Sequence, residues 1–266
     1  RITLYRSVPR VELDIRLANE ASNHRLRIHF PSGLFSETVF ADGLFTVNET
    51  VVSLAQEGAD PEPVAVAQRA FTTIISADSG LTIASRGLPE AWVTPAEHGH
   101  DVAVTLLRAV GEPCALNGIE RARDSVSGAQ GFGEHELSLA VIPHPGTDWL
   151  SAWHQSWQFQ TPLRALVTTR HKGVLNSRGS LVTVDNPLVV LSTIKPARDG
   201  QAMIVRVYNL SGEAQSANVQ IGVSFGSAER VRLDEASLGL PPLQVEGQTV
   251  TLTVPPFGLQ TIALLP

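Results

Sequence analysis

The chain has 266 residues, of which 43% are hydrophobic, and its 20 basic and 26 acidic residues give a net charge of −6. This length allows one large β domain or about one and a half domains, and no apolar run approaches the ~18–20 residues of a membrane-spanning helix. The mildly acidic balance, without a basic run, argues against nucleic acid or an anionic membrane as partner.

The first predicted strand begins at residue 1, in RITLY, where no signal peptide is visible. The only methionine is Met203, so residue 1 is not expected to be a translation start. We therefore expect the sequence to be a fragment of a longer polypeptide. Its single cysteine, Cys114, excludes an internal disulfide and fits a reduced, cytoplasmic location.

Period-two alternation predicts strands in VELDIRLA (11–18) and HRLRIHF (24–30). The turn-rich stretch NEASN (19–23) lies between them. Two alternating runs joined by a short turn are typical of a hairpin. The sequence therefore predicts that these two strands pair with each other.

Four further strands are predicted before residue 145: AFTTIIS (70–76), LTIAS (81–85), DVAVTLLRAVG (101–111) and HELSLAVIP (135–143). The third of them is apolar on both faces, which suits a strand covered on both sides. Helical periodicity occurs in one place, DWLSAWHQSW, where Trp149, Trp153 and Trp157 recur every four residues. One or two helical turns are predicted there.

The sequence pattern changes after SRGSL (177–181), where the apolar runs become short and regularly interrupted by turn residues. Short strands separated by turn-rich pieces follow and indicate a small antiparallel sandwich: LVVLSTIKPA (188–197), AMIVRVYN (202–209), SANVQIGVSF (216–225), ERVRLDEA (229–236) and TVTLTV (249–254). The prediction is an all-β chain with two domains, residues 1–178 and 179–266.

Residues 130–149 (QGFGEHELSLAVIPHPGTDW) contain two histidines, two glutamates and an aspartate, as a metal or acid–base site would. In a strand, however, His135 lies on one face while Glu134 and Glu136 lie on the other. The segment also lacks the HExxH zinc pattern. We expect His135 to be a hydrogen-bonded structural residue, with a sugar or cofactor contact as the alternative, and expect a structural role for His144 at the strand end.

Other candidate sites carry weaker signals. His98 and His100 could bind a metal, but without a third ligand at suitable spacing a solvated turn is expected. The tryptophan stripe could stack on sugar rings, but helical spacing favours a core role. No GxSxG elbow, activated cysteine or phosphate-binding glycine loop is found.

The turn SRGLPEA (85–91) follows a predicted strand and places Arg86 and Glu90 on either side of Gly-Leu-Pro. Polar side chains at a strand-end turn project from a rigid base, where ligand contacts are commonly built. An ordinary surface turn with a salt-bridged arginine is an equal alternative. Arg86 and Glu90 are the candidate substrate-binding residues.

Several stretches occur in an order that resembles the C-terminal β-portion of glycoside hydrolase family 38, the retaining α-mannosidases. They are RITLYRSVPRVEL, SRGLPEAWV, VAVTLLRAVG, AQGFGEHELSLAVIPHPGTDW, WQFQTPLRAL, LVVLSTIKPARDGQAMIVRVYN and PPFGLQTIALL. Together they cover nearly the whole chain.

The resemblance implies a galactose-mutarotase-like β-supersandwich followed by a small antiparallel β-sandwich. It also implies that zinc, its Asp and His ligands and the catalytic carboxylates lie in an N-terminal barrel outside this chain. Accordingly, no catalytic residue, metal ligand or cofactor is expected here. The implied partners within the same polypeptide are the N-terminal catalytic and helical domains, and the implied ligand is a mannose-containing glycan. An exposed apolar face would also favour homo-oligomers. Arg86, in the RGL core, is the residue implied to reach the sugar, whereas Gln130 and His135 are interpreted as structural.

Two other functions stay open. A stand-alone carbohydrate-binding β module is supported only by the tryptophan stripe. An aldose mutarotase-like enzyme would need a glutamate base facing a histidine acid across an open sheet. The positions of His135 and the flanking glutamates on opposite faces disfavour that arrangement, although His144 keeps it open.

Overall fold

The computed structural model describes residues 1–52, 63–111, 127–170, 172–173 and 177–266. Cys114 lies outside the described residues. The chain divides into two compact units, one comprising Arg1–Gly43 and Asn48–Arg164, the other Leu44–Val47 and Ala165–Pro266. Within the described residues, no helix is long and apolar enough to cross a membrane.

The first unit is built from two antiparallel sheets. In chain order its strands are β1 (Ile2–Leu4), β2 (Val11–Asn19), β3 (His24–Pro31), β4 (Thr38–Asp42), β5 (Val47–Val51), β6 (Val64–Ala67), β7 (Phe71–Ile75), β8 (Ser79–Ser85), β9 (Glu90–Ala96), β10 (Gly99–Ala109) and β11 (Gly133–Pro145). The first sheet has the order β1-β2-β11-β8-β7-β4-β5 and the second has the order β3-β10-β9-β6.

The predicted hairpin between the second and third strands is wrong. Strand β2 pairs with β1 and β11 in the first sheet, whereas β3 pairs with β10 in the second. The intervening turn therefore crosses from one sheet to the other. Alternation shows which face of a strand is apolar but not which strand lies beside it, and here the two apolar faces contribute to one core.

The core of the first unit lies between its two sheets. Fully buried side chains from both sheets meet there, among them Val39, Ile74, Ile83, Val93, Val102, Val104 and Leu139. Strand β10 is buried on both faces as predicted: Val102 and Val104 are 0% exposed, and the intervening Ala103 is 2% exposed. Ala103 lies opposite Trp92 of β9 and His29 of β3.

One α-helix, α1 (Trp149–Gln160), packs against β7, β8 and β11 of the first sheet. Asp148 caps its N-terminus by accepting a hydrogen bond from the Ser151 amide at 3.3 Å, as aspartate commonly does. The helix has 12 residues, more than the one or two turns predicted. It buries Trp153 and Phe159, while Trp149 and Trp157 are half-buried, so the structure agrees with the predicted core role at Trp153.

The second unit is a four-on-four sandwich. Its strands are β12 (Val182–Val184), β13 (Val189–Pro196), β14 (Met203–Asn209), β15 (Gln215–Ile221), β16 (Ser227–Val231), β17 (Gln244–Glu246), β18 (Thr249–Val254) and β19 (Leu259–Leu265). The sheets have the orders β12-β15-β18-β17 and β13-β14-β19-β16, and both contribute to one apolar core.

The all-β prediction, with a large sandwich followed by a small antiparallel one, is confirmed. The predicted boundary at residue 179 and the limit of the units at Arg164 both lie between the end of α1 and the start of β12. The boundary itself stays a prediction.

Candidate functional site

The turn after β8 holds Arg86 against helix α1. Its Nε donates to the Phe159 carbonyl oxygen at 2.9 Å, Nη2 donates to the same oxygen, and the guanidinium carbon lies 4.2 Å from the centre of the Phe159 ring. Gly87 follows with a φ of +71°, a conformation that favours glycine. Gln160 donates to the Ser85 carbonyl oxygen, so two consecutive residues at the start of this turn are bonded to the end of the helix.

Glu90 begins strand β9 at the other end of the turn. Its Oε1 accepts hydrogen bonds from Trp92 Nε1 and Thr105 Oγ1, both at 2.7 Å, and lies 3.7 Å from Arg25 Nη1. Burial raises the pKa of this carboxyl, but those hydrogen bonds and the charges of Arg25 and Arg27 outweigh burial, so the pKa lies below its ordinary value. Glu90 is therefore ionised and internally bonded.

The two predicted substrate-binding residues have separate surroundings. Arg86 contacts the helix that covers the first sheet, whereas Glu90 contacts residues of the second sheet. Among the described contacts, none joins them. The salt-bridge alternative for Arg86 is likewise not found there, because its described partner is a backbone carbonyl.

His135 and Gln130 have structural roles, as interpreted from the sequence. His135 Nε2 lies 2.7 Å from the Gly131 carbonyl oxygen. Gln130 exchanges two hydrogen bonds with Asn23, one with its amide and one with its side chain, each at 2.9 Å. Asn19 donates to the carbonyl oxygens of Gln130 and Gly131. These hydrogen bonds fix the turn that crosses between the sheets.

The sequence analysis did not identify Asn19 and Asn23, the two asparagines that make these hydrogen bonds. They lie in the turn-rich NEASN stretch, more than 100 positions from Gln130. Asn23 has a φ of 55°, which asparagine tolerates better than most residues. The position of Asn23 in a turn-rich stretch was therefore a usable signal for a structural role. Its hydrogen-bond partner, Gln130, could not be identified without the fold.

His144 also sits in an internal hydrogen-bond network. Its Nε2 lies 3.1 Å from Thr82 Oγ1 and 3.4 Å from Thr73 Oγ1, and its Nδ1 lies 2.9 Å from the Pro145 carbonyl oxygen. Among the described ion pairs, the one that joins a histidine to a glutamate is the exposed pair His98–Glu97. These residues provide no acid–base pair of the kind a mutarotase needs.

The prediction of a solvated turn at residues 97–101 (EHGHD) is right for His98 and wrong for His100. The side chain of His98 is 88% exposed. His100, in contrast, is 1% exposed, and its backbone amide donates to the Leu34 carbonyl oxygen at 2.9 Å. The assignment of His100 to a solvated turn was wrong because β10 begins at Gly99 and carries the next residue into the sandwich.

A metal ion needs several donor side chains around one point. Across residues 1–52, 63–111, 127–170, 172–173 and 177–266, no three His, Cys, Asp or Glu side chains converge on a point where an ion could bind. A zinc ion therefore has no fitting site in the described part of this chain. No chemical step can be derived through zinc from these residues.

Residues 188–262 match the family described as the glycosyl hydrolases family 38 C-terminal beta sandwich domain. A putative mannosylglycerate hydrolase from Halalkalibacterium halodurans is 29% identical over 221 residues, which are 82% of this chain and 23% of that protein.

Two solved structures from Enterococcus faecalis share the fold. One is described as an α-mannosidase of strain V583, with 23% identity and a TM-score of 0.79, and it matches 99% of this chain and 28% of that one. The other is a glycosyl hydrolase family 38 protein with 22% identity and a TM-score of 0.77, covering 99% of this chain and 29% of its own. The chain thus spans about a quarter of the length of these relatives. Its resemblance to the C-terminal β-portion of glycoside hydrolase family 38 is confirmed.

Proposed function

We propose that this chain is the non-catalytic C-terminal region of a zinc-dependent retaining α-mannosidase and supports a catalytic part of the same polypeptide. The observation that carries the proposal is the match of residues 188–262 to the family 38 C-terminal domain. The likeness of the whole chain to about a quarter of much longer family 38 proteins adds support. In this proposal zinc and the catalytic carboxylates belong to the part of the polypeptide outside this chain.

The proposed substrate is a mannose-containing glycan. The relatives are named for mannosylglycerate hydrolysis and for α-mannosidase activity, and both names refer to mannosides. A cytoplasmic location, expected from the single cysteine, belongs to the same proposal.

The proposed sugar contact is Arg86, at the edge of a substrate pocket that the catalytic part of the polypeptide would form. Phe159 engages Nε and Nη2, which fixes the guanidinium without using Nη1 in any described contact. A fixed guanidinium can donate to a sugar hydroxyl or to a neighbouring carboxylate with little loss of entropy. Glu90 is the weaker candidate, since its Oε1 already accepts two hydrogen bonds.

Two measurements test this function. The isolated chain should not hydrolyse aryl α-mannosides with or without zinc, and turnover abolished by a chelator would overturn the proposal. In the longer polypeptide, Arg86→Ala should lower kcat/KM by roughly ten- to a hundredfold, because a hydrogen bond involving a charged group is worth about 1.5–3 kcal/mol.

The kinetic test needs a control for folding. Arg16→Ala is suitable, because the side chain of Arg16 is 83% exposed and its described ion pair, with Glu136, lies on the surface. Rates are compared per folded molecule, measured by near-ultraviolet circular dichroism. If Arg86→Ala and Arg16→Ala have the same kcat/KM, Arg86 does not contact substrate.

A further inference from the structure

Three arginines share the outer face of the second sheet. Ile28 and Phe30 of β3 pack into the core, so Arg25 and Arg27, which alternate with them, project from the opposite face. The register of β3 with β10 shifts between Thr105 and Leu107 and then places Arg108 directly opposite Arg25. Like charges directly opposite each other destabilise a sheet, and an anion beside them would relieve that repulsion.

Within the described residues, the neutralising charge is incomplete. Glu90 lies 3.7 Å from Arg25, while Arg27 and Arg108 form no described ion pair. The Nε of Arg27 is buried and has no hydrogen-bond partner among the described groups. Three positive charges therefore meet one carboxylate, and the buried Nε–H of Arg27 adds the cost of an unmade hydrogen bond.

Two of the three arginines, Arg25 and Arg27, pack against Trp92. The guanidinium carbons of Arg27 and Arg25 lie 4.6 and 5.6 Å from the centre of the Trp92 ring. Trp92 in turn donates to Glu90, which also accepts from Thr105. Prior fixation of the stems lowers the entropy lost when the guanidinium groups bind a ligand.

A cavity of about 810 Å³ adjoins Arg25 and Arg108. Arg25 and Arg108 line it together with Asn23, His24 and Gln130, and no acidic side chain is among its described lining residues. The Nδ1 of His24 is another buried nitrogen without a described partner. The cavity has the size of a small-molecule site, and its lining favours negative charge.

We propose that Arg25 and Arg108, with Arg27 beside them on the same sheet face, form an oxyanion-binding site for a phosphate or carboxylate group of a small ligand. Paired guanidinium groups bind such groups through parallel, charge-assisted hydrogen bonds. The site lies against β3 and β10 and does not depend on the contact proposed for Arg86. It would persist in this chain even if the proposed glycosidase function were wrong.

The experiment is calorimetric titration of the 266-residue chain at low ionic strength with inorganic phosphate and, separately, with succinate. Saturable binding with a Kd of about 1 mM or lower is expected for at least one probe. Preference for phosphate identifies a phosphate group, and preference for succinate identifies a carboxylate. Absence of binding by both probes overturns the proposal.

Variants locate the binding. Arg25→Gln and Arg108→Gln should each weaken it by about tenfold or more, whereas Arg16→Gln, on the other sheet, should not. An equal loss in Arg16→Gln would show nonspecific charge attraction and would overturn the site.

A thermal measurement separates ligand binding from structural support. Without ligand, Arg108→Gln should melt at or above the wild-type temperature, because it removes a like-charge contact. Phosphate or succinate, whichever binds, should raise the Tm of the wild type and not that of Arg108→Gln. A lower Tm in the ligand-free variant would make Arg108 a structural partner and overturn the proposal.

Discussion

Arg86 ties the turn at residues 85–90 to the end of helix α1. Two of its nitrogens reach the same carbonyl oxygen, and its planar face lies on the Phe159 ring. Lysine could replace the charge but not this geometry, because an ammonium is neither planar nor forked. Any effect of Arg86 on substrate would therefore act through a side chain that also stabilises the fold.

We expect Arg86→Ala to lower the free energy of unfolding by about 1–2 kcal/mol, because the Phe159 carbonyl oxygen loses a charged donor and the ring loses its cover. Arg86→Lys should recover only part of this loss. Urea denaturation of both variants and of Arg16→Ala checks the prediction. If Arg86→Ala unfolds at the wild-type midpoint, these contacts contribute nothing to stability.

Gly80 provides a second test at the residue scale. It lies opposite His144 in the β8–β11 ladder, and a Cβ added to it would come within 2.1 Å of the imidazole Cε1. That ring is already bonded to Thr82 and to the Pro145 carbonyl oxygen, so it cannot move freely.

Gly80→Ala should therefore destabilise the protein by about 1–3 kcal/mol through overpacking. Gly179→Ala is the matched control, because a Cβ there would meet nothing within 4 Å. Thermal melts of both variants and of the double variant Gly80→Ala/His144→Ala give the answer. The double variant should lose less stability than the sum of its parts, and strict additivity would contradict the clash.

At the scale of the element, α1 is held by its apolar face. Trp153 is 6% exposed and Phe159 is 1% exposed. Helix propensity alone would not stabilise 12 residues in water, so packing on the first sheet supplies most of the stability of this helix. Trp153 also carries a buried indole N–H without a described hydrogen-bond partner.

Trp153→Ala should cost about 3–5 kcal/mol of unfolding free energy, because it leaves a cavity in the core. Trp153→Phe keeps most of the ring and removes the unpaired N–H, so its cost should stay below about 1.5 kcal/mol. The exposed Gln158→Ala should change stability by less than about 0.5 kcal/mol. Chemical denaturation measures all three, and a stable Trp153→Ala that loses sugar binding would instead make the tryptophan a binding platform.

At the scale of the whole molecule, buried and paired carboxyl groups act on stability in opposite directions. The backbone and side-chain amides of Asn218 hold the pKa of Asp185 below its ordinary value. Burial raises the pKa of Asp42, and the hydrogen bond and charge of Arg69 offset this only in part. The first group stabilises the native state when ionised, and the second when protonated.

Lowering the pH should therefore change the stability of the Asp185→Asn and Asp42→Asn variants in different ways. Stability contributed by Asp185 is present above its unfolded pKa, near 3.8, and is lost as the pH falls through its lower folded pKa. Asp185→Asn should lose stability less steeply below about pH 4 than the wild type does.

The contribution of Asp42 to the stability of the native state should increase as the pH falls from its raised folded pKa toward 3.8, the unfolded value. The Asp42→Asn variant lacks this increase, so it should lose stability more steeply than the wild type in that pH window. Urea midpoints at pH 7, 5, 4 and 3 measure both slopes. Parallel curves for the two variants would contradict the assigned directions.

The sequence by itself determined the fold class and most strand positions. Alternation located β2, β3, β10 and β11, because burying one face of a strand imposes a period of two on its side chains. The same parity correctly separated His135 from its neighbouring glutamates. The ordered motifs indicated a resemblance to the C-terminal β-portion of family 38, and the comparisons confirmed that resemblance.

Only the tertiary structure decided which elements meet. The turn between β2 and β3 crosses between sheets, and His100 enters the sandwich, because pairing depends on partners far along the chain. Arg25 and Arg108 come together across a shifted register 83 positions apart, which no local pattern specifies. Alternation states which way a side chain faces. Its neighbours are set by the packing of both sheets around one core, and that is a property of the whole chain.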